Sequence, residues 1–244
     1  MKRGWRLKFG IVLVAVSAAL MALHYLIFRD AHHLAIFTLH DIAFLPIEVL
    51  LVTLVIDQLL DRMAKRELIG KLNMVIGLFF SETGTELLRR LVAFDTVCEV
   101  REEFLVEADW DAARFAAAKK AVAAYDFEVD TSLGDLDGLR EHLRGSRDLL
   151  VRLLENPNLL EHDEFTNAMW AVFHLIAELE ERGDFAALPE SDLAHLGGDI
   201  KRAYAAVATQ WLDYVQHLKA DYPYLFSLAI RTNPLDPRAS VTVR

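Results

Sequence analysis

The feature of this sequence that most constrains its fold is a pair of long apolar segments within residues 9–60. The first, residues 9–28, is a run of twenty residues without a charged side chain. A helix rises about 1.5 Å per residue, so this run spans about 30 Å, the thickness of the hydrocarbon core of a bilayer. The second segment ends at Leu60, shortly before a basic cluster. We therefore expect a two-helix transmembrane hairpin over residues 1–61, with spans at about 9–28 and at 34–60 or 42–60.

Lys and Arg residues are concentrated at the two ends of this hairpin. Four precede the first span and four follow the second, whereas the connection between the spans contains only Arg29. Positive residues of this kind stay on the cytoplasmic side of a membrane. We therefore expect a multi-pass protein of the cell inner membrane with both termini in the cytoplasm, and membrane lipid as one of its partners.

The second span carries two carboxylates, Glu48 and Asp57, and its insertion is finely balanced. The thirteen Leu, Ile, Val and Phe residues of 42–60 favour insertion by about −4 to −8 kcal/mol. Two carboxylates at mid-span oppose insertion by about +5 to +7 kcal/mol. The balance predicts that this helix inserts together with the first span, within an oligomer, or with Glu48 protonated.

A candidate membrane polar site consists of His40, Asp41, Glu48 and Asp57. Asp41 and Glu48 are seven residues apart, which places them about 20° from a common helix face. One interpretation is a site that handles protons or cations. The other is a set of interfacial polar residues with one glutamate bonded to a neighbouring helix. No spacing in this region matches a defined metal motif.

Three glycines recur at heptad spacing in the apolar segment after the hairpin, at Gly70, Gly77 and Gly84. We predict a juxtamembrane apolar helix over residues 62–85 with these glycines on one stripe. Glycine inside a helix costs about 1 kcal/mol relative to alanine, so three in register suggest close helix packing. Gly77 is expected to matter more than Gly84, because Thr83 and Glu86 resemble a capping box that opens another helix.

Residues 86–244 are predicted to form an acidic cytosolic helical domain, which makes the whole chain all-α. Residues 72–244 carry seventeen Lys and Arg against thirty Asp and Glu, a balance that argues against nucleic-acid binding. The single cysteine, Cys98, excludes an internal disulfide. No segment shows sustained strand alternation. Helical patterns occur at about 96–107, 110–124, 136–155, 163–182, 190–220 and 222–231.

Two groups of apolar residues in this domain are predicted to be buried. Aromatic side chains at helical spacing are expected in the core: Trp170, Phe173, Trp211 and Tyr214. The dense apolar segment 222–230 is expected to dock, and its own chain is favoured over a partner. Pro223 suits the first turn of the helix that this segment forms.

Several helices place a histidine and a carboxylate one turn apart: His174/Glu178, His195/Asp199 and Asp213/His217/Asp221. Bundles that hold two metal ions use Glu-x-x-His spacing, which is absent; Asp192-x-x-His195 is the nearest approach. Ion pairs at this spacing are common on solvated helix faces. No Walker loop, Rossmann glycine pattern or nucleophile elbow is present either. We therefore expect no metal, no cofactor and no catalytic residues.

Two stretches of this sequence resemble uncharacterised prokaryotic inner-membrane proteins that have two N-terminal transmembrane helices and a helical cytosolic domain. These stretches are residues 40–48 together with Asp57, and the C-terminal residues 222–226. The resemblance implies this architecture and no activity.

Taken with the residue patterns, the expected function is a membrane-anchored helical scaffold, accessory or signalling protein without catalytic activity. It is expected to form a homo-oligomer or to bind another membrane or cytosolic protein. The alternative is a small oligomeric cation channel, or an ion-responsive membrane protein, that uses Glu48.

Overall fold

The computed structural model of this protein describes residues 3–96, 104–157, 159 and 162–242. Every regular element within these ranges is a helix, and the only β-type pairing among them is an isolated bridge between Asp95 and Val129. The all-α prediction is therefore confirmed. Cys98 lies outside the described residues.

Eight α-helices follow one another through the described ranges: α1 (Arg3–Phe28), α2 (Ala31–Phe79), α3 (Thr85–Val92), α4 (Ala112–Ala124), α5 (Leu136–Leu154), α6 (Asp163–Glu180), α7 (Glu190–Asp221) and α8 (Pro223–Arg231). A π-helical segment, Phe80–Gly84, joins α2 to α3, and a 3-10 turn, Phe185–Ala187, lies between α6 and α7. The sequence patterns placed α4 to α8 within two residues of these bounds.

The helix predicted over residues 96–107 is wrong at residues 105–107, which form an irregular connection. Phe104 and Val106 are both buried there, whereas Leu105 between them is half-exposed. Burial of alternate residues is the pattern of an extended chain, not of a helix. Residues 97–103 of the predicted helix lie outside the described ranges.

The chain divides into two compact units, Met1–Lys65 and Arg66–Arg244. Unit 1 contains α1 and the first part of α2. Both helices are long and apolar enough to cross a membrane, judged by length and composition alone. They are joined at Arg29, which has a positive φ of 50°. Asp30 caps α2, because its Oδ1 accepts a hydrogen bond from the His33 amide at 2.9 Å.

Unit 2 is organised around the pair α6 and α7, which pack along each other in opposite directions. The long helix α7 also contacts α3, α4 and α8, and α5 packs on α6. The buried face of α6 carries Phe165, Met169, Val172 and Ile176. Trp170 follows Met169 and therefore lies off this buried face of the helix. Its side chain is 61% exposed, so the prediction that it is buried is wrong. Trp211 is fully buried, as predicted.

The predicted capping box at Thr83 is also wrong. The chain passes from α2 to α3 through the π-helical segment, in which the Thr85 amide donates to the Phe80 carbonyl five residues earlier. Because the helix continues through this wider turn, α3 has no free N-terminus for a side chain to cap. The Thr83 hydroxyl instead donates to Ser146 on α5 at 2.7 Å.

The C-terminal segment contacts α7 of its own chain, but most of its apolar side chains stay exposed, so the expected docking holds for only part of the segment. Pro223 occupies the first turn of α8, and Phe226 is buried against unit 2. Beyond the helix, the buried Asn233 side chain donates to the Phe104 carbonyl at 2.7 Å, and Leu235 is buried beside it. These contacts fix the end of the chain to the connection that precedes α4.

Candidate functional site

The four residues of the predicted membrane polar site are all exposed on α2. Asp41 and Glu48 share a face, but the nine residues from Glu48 to Asp57 turn Asp57 to the opposite side of the helix. Within the described part of the chain, no hydrogen bond or ion pair joins any of these three carboxylates to another residue, and the His40 ring stacks on Phe44. A single chain therefore does not bring the four together as one site.

The three glycines differ in how closely their neighbours approach. A Cβ atom added at Gly70 would meet nothing within 4 Å, and one at Gly77 would lie in ordinary contact, 3.7 Å from Tyr214. A Cβ at Gly84 would lie 2.4 Å from the ring of Phe79, which is fully buried. The expectation that Gly77 matters more than Gly84 is therefore wrong, because the tight contact is at Gly84.

The main polar cluster of unit 2 lies between α6 and α7. The chain reverses after α6 through the 3-10 turn, in which the Asp184 carboxylate accepts a hydrogen bond from the Ala186 amide. Side chains one turn apart on α6 consequently face side chains on the first turns of α7. We call this group the α6–α7 charge cluster: His174 and Glu178 on α6, Arg182 in the connection just after it, and Asp192, His195, Asp199 and Arg202 on α7.

Two carboxylates of the charge cluster each lie between two imidazoles. His174 Nε2 is 3.3 Å from Asp199 Oδ1 and 3.8 Å from Glu178 Oε1. His195 Nε2 is 3.4 Å from Asp199 Oδ2 and 3.5 Å from Glu178 Oε2. One ligand atom from each of His174, Glu178 and Asp199 lies within 4.8 Å of the other two. The arrangement therefore offers imidazole nitrogen and carboxylate oxygen at the spacing of a metal centre.

Two arginines hold the carboxylates of the cluster in place. Arg182 donates to Glu178 Oε2 at 2.6 Å and forms a bidentate pair with Asp192 at 2.7 and 2.8 Å. Arg202 donates to Asp199 Oδ1 at 2.6 Å. The hydrogen bonds from Arg182 lower the pKa of Glu178 and of Asp192, so both stay ionised at neutral pH. The same bonds, that to Asp192 foremost, raise the pKa of Arg182.

Burial within the cluster is uneven. The Asp199 side chain is 2% exposed, whereas His174 and His195 are 47% and 55% exposed. Asp199 Oδ2 is buried without a hydrogen-bond partner. Leaving a buried acceptor unsatisfied costs about 1–3 kcal/mol, and more for a charged group. The cluster is thus open to solvent at the two histidines and closed at Asp199, where the unsatisfied carboxylate oxygen lies.

A second polar network, outside this cluster, ties α5 to the π-helical segment. The buried Thr83 hydroxyl has one hydrogen, which it donates to Ser146, so the His142 Nε2 atom 3.1 Å away is the donor in its contact with Thr83. Ser146 in turn donates to the His142 carbonyl at 2.9 Å. Burial lowers the pKa of His142, and the charge of Arg90 lowers it further. The network joins α5 to the π-helical segment through the Thr83 hydroxyl, which contacts both His142 and Ser146.

The sequence patterns identified the pairs His174/Glu178 and His195/Asp199, and the prediction was that each is a separate ion pair on a solvated helix face. What the patterns missed is that the two pairs face each other across antiparallel helices. The sequence did contain a clue, because the two pairs lie on consecutive helices, near the end of α6 and near the start of α7, with only a short connection between them. That reversal places residues 174 and 178 opposite residues 199 and 195.

The fold and the cluster define an all-helical protein with two exposed apolar helices and a separate helical domain. Residues 1–60 match the family described as "MJ1433, N-terminal helical domain", and residues 68–231 match "Uncharacterized protein MJ1433, C-terminal helical domain". A relative from Methanocaldococcus jannaschii, "Uncharacterized protein MJ1433", is 41% identical over 237 residues, covering 97% of this chain and 96% of the relative. The chain belongs to this MJ1433 family. No solved structure matches it.

Proposed function

We propose that this protein is a membrane-anchored helical scaffold or accessory subunit. In this proposal, α1 and the first part of α2 insert as a two-helix hairpin in the cell inner membrane, with both chain termini in the cytoplasm. Unit 2 then presents a surface that binds a partner protein or a second copy of the chain. The Lys and Arg residues at the ends of the hairpin support this orientation.

The observation that carries the proposal is the exposure of apolar side chains around both helices of unit 1. Val14 on α1 and Leu39 on α2 are 71% and 70% exposed, and the same holds along most of residues 9–60. A soluble protein rarely leaves a continuous apolar surface of this size in water. A bilayer covers such helices without requiring any further partner.

Exposed large side chains on unit 2 support a binding role for that unit. Trp170 on α6 is mostly exposed, and Tyr224, Leu225 and Leu228 on α8 are also exposed. Aromatic residues in such positions are typical of protein–protein contacts. The acidic charge of this part of the chain favours partners with basic surfaces.

Fractionation of cells that produce the full-length protein tests the proposal. The protein is expected in the membrane pellet, to resist extraction with high salt and alkaline carbonate, and to be released by mild detergent. Mass measurement of the detergent-purified sample is then expected to exceed that of one 27.7 kDa chain in its micelle. Recovery of the protein in the soluble fraction contradicts the membrane anchor. Recovery as a monomer without a partner protein contradicts the scaffold role.

A cation channel is the second candidate, because Glu48 lies on an apolar helix without a partner among the described residues of its own chain. In a symmetric oligomer, Glu48 from several copies converges on the axis and provides that partner. Cation flux in liposomes is then abolished by Glu48→Gln and preserved by Asp57→Asn, since Asp57 faces the other side of α2. Absence of flux for the unmodified protein eliminates this candidate and leaves the scaffold.

A further inference from the structure

We propose that the α6–α7 charge cluster binds one divalent transition-metal ion. The ligands are His174, Glu178 and Asp199, and His195 supplies the fourth. The site is independent of the scaffold role, because it depends only on contacts between α6 and α7 within unit 2.

Imidazole nitrogens and carboxylate oxygens in the cluster lie about as far apart as the ligand atoms of one metal ion. A tetrahedral ion with metal–ligand bonds of about 2.1 Å holds neighbouring ligand atoms about 3.4 Å apart. His174 Nε2 lies 3.3 Å from Asp199 and 3.8 Å from Glu178, and His195 Nε2 lies 3.4 and 3.5 Å from the same two carboxylates. Ligand atoms of His174, Glu178 and Asp199 already lie within 4.8 Å of one another, so these three side chains can converge on one ion by giving it one oxygen from each carboxylate. His195 then rotates to close the fourth position.

A carboxylate oxygen at the buried base of the cluster, Asp199 Oδ2, has no hydrogen-bond partner among the described residues. Asp199 is almost fully buried, and its Oδ2 atom points toward His195 without accepting a hydrogen bond. Buried polar groups in folded proteins nearly always have a partner, so this atom calls for one. A metal ion between the two helices supplies that partner, because it binds carboxylate oxygen directly.

The charges of the cluster also favour a bound cation. Three carboxylates face two guanidinium groups in the cluster, so one negative charge is uncompensated when both imidazoles are neutral. Arg182 holds Glu178 through Oε2 and leaves Oε1 available, and Arg202 holds Asp199 through Oδ1 and leaves Oδ2 available. The arginines therefore orient the ligands from outside, as the outer partners of metal ligands commonly do.

The ligand set selects the class of ion. Imidazole nitrogen suits Zn²⁺, Fe²⁺, Ni²⁺ and Cu²⁺, whereas sites for Mg²⁺ and Ca²⁺ use oxygen ligands. Two histidines with two carboxylates therefore favour a first-row transition ion over Mg²⁺. Both imidazoles are about half-exposed, which gives the ion an entry path from solvent.

Calorimetric titration of full-length protein, purified in mild detergent and freed of metal with EDTA, tests the proposal. Zn²⁺ is expected to bind with a stoichiometry of one per chain, and Mg²⁺ in excess is expected not to compete. The double variant His174→Gln/His195→Gln is expected to lose more than about 100-fold in Zn²⁺ affinity, since even an outer partner of a ligand contributes 10–100-fold. The matched control is His217→Gln, which removes another His–Asp pair from α7, His217 with Asp221 at 2.8 Å.

A second variant keeps the proposal testable if the double variant fails to fold. His174→Cys places a thiolate at the same position, so bound Co²⁺ gains a sulfur-to-metal absorption band. The unmodified protein, which contains only Cys98, provides the background spectrum. Absence of Zn²⁺ binding, equal affinity in the double variant and the His217→Gln control, or bound Co²⁺ without the new band each overturns the proposal.

Discussion

Replacement of Gly84 by alanine is expected to destabilise the protein, whereas the same change at Gly77 is not. The new Cβ at Gly84 lies 2.4, 2.7 and 2.9 Å from three ring atoms of Phe79. That ring cannot move away easily, because it is fully buried and packs edge-on against Phe165 with centroids 5.4 Å apart. Overpacking a well-packed core costs about 1–3 kcal/mol.

The control variant separates this clash from backbone effects. Replacing glycine by alanine inside a helix stabilises by about 1 kcal/mol, and this gain applies to both positions. The difference between Gly84→Ala and Gly77→Ala therefore reports the clash alone, about 1–3 kcal/mol. For a chain of this size, each kcal/mol moves the unfolding midpoint by about 2–4 °C.

Thermal unfolding of the two full-length variants, followed by far-ultraviolet circular dichroism in the same detergent, measures this difference. A double variant, Phe79→Leu with Gly84→Ala, is expected to recover part of the loss, because the smaller side chain leaves room for the new methyl group. Equal midpoints for Gly84→Ala and Gly77→Ala refute the reasoning, and so does a double variant in which the two losses simply add.

Three further predictions test other parts of unit 2. Burial lowers the pKa of His142 from its ordinary value of 6.5, so the unfolded chain takes up a proton at this imidazole more readily than the folded chain. The free energy of unfolding therefore falls as the pH drops through 6.5 toward the lowered pKa. His142→Gln is expected to remove this dependence when unfolding is measured from about pH 8 to about pH 5. Trp211→Ala is expected to lower the free energy of unfolding by about 3–5 kcal/mol, because this side chain is buried. Trp170→Ala is expected to change it by no more than about 0.5 kcal/mol, because this side chain is exposed. Similar unfolding midpoints for the two variants would contradict the burial of Trp211 and the exposure of Trp170. Asn233→Ala removes the hydrogen bond to the Phe104 carbonyl and leaves the buried Leu235 amide without the Asn233 Oδ1 acceptor, at a cost of about 1–3 kcal/mol. An unchanged midpoint would show that these hydrogen bonds do not hold the C-terminal segment.

The sequence predicted the helices of unit 2 well where local signals were strong. Periodic apolar residues and the break at Gly183 and Pro189 located α6 and α7, because helix ends depend on turn-forming residues near them in the sequence. The connection at 105–107 was missed, since its alternating burial depends on the docked C-terminal segment. The π-helical segment was missed because Thr83 finds its partner on α5.

The charge cluster was also not predicted from the sequence, because it depends on contacts between residues on different helices. The spacing His174/Glu178 and His195/Asp199 was visible, but such pairs are common on exposed helix faces. Only the antiparallel packing of α6 on α7 brings the pairs face to face and buries Asp199. Burial of that carboxylate depends on tertiary contacts, so no local pattern could distinguish this cluster from the Asp213/His217/Asp221 set.

The most direct test of the proposed anchor is labelling of single cysteines in intact cells. Cys98→Ser removes the native thiol, and Arg29→Cys or Ser240→Cys then places one thiol in the α1–α2 connection or near the C-terminus. A membrane-impermeant maleimide is expected to label residue 29 from outside the membrane and residue 240 only after the membrane is opened. Labelling of residue 240 in intact cells, or protection of residue 29 until the membrane is opened, contradicts a membrane hairpin with both termini in the cytoplasm.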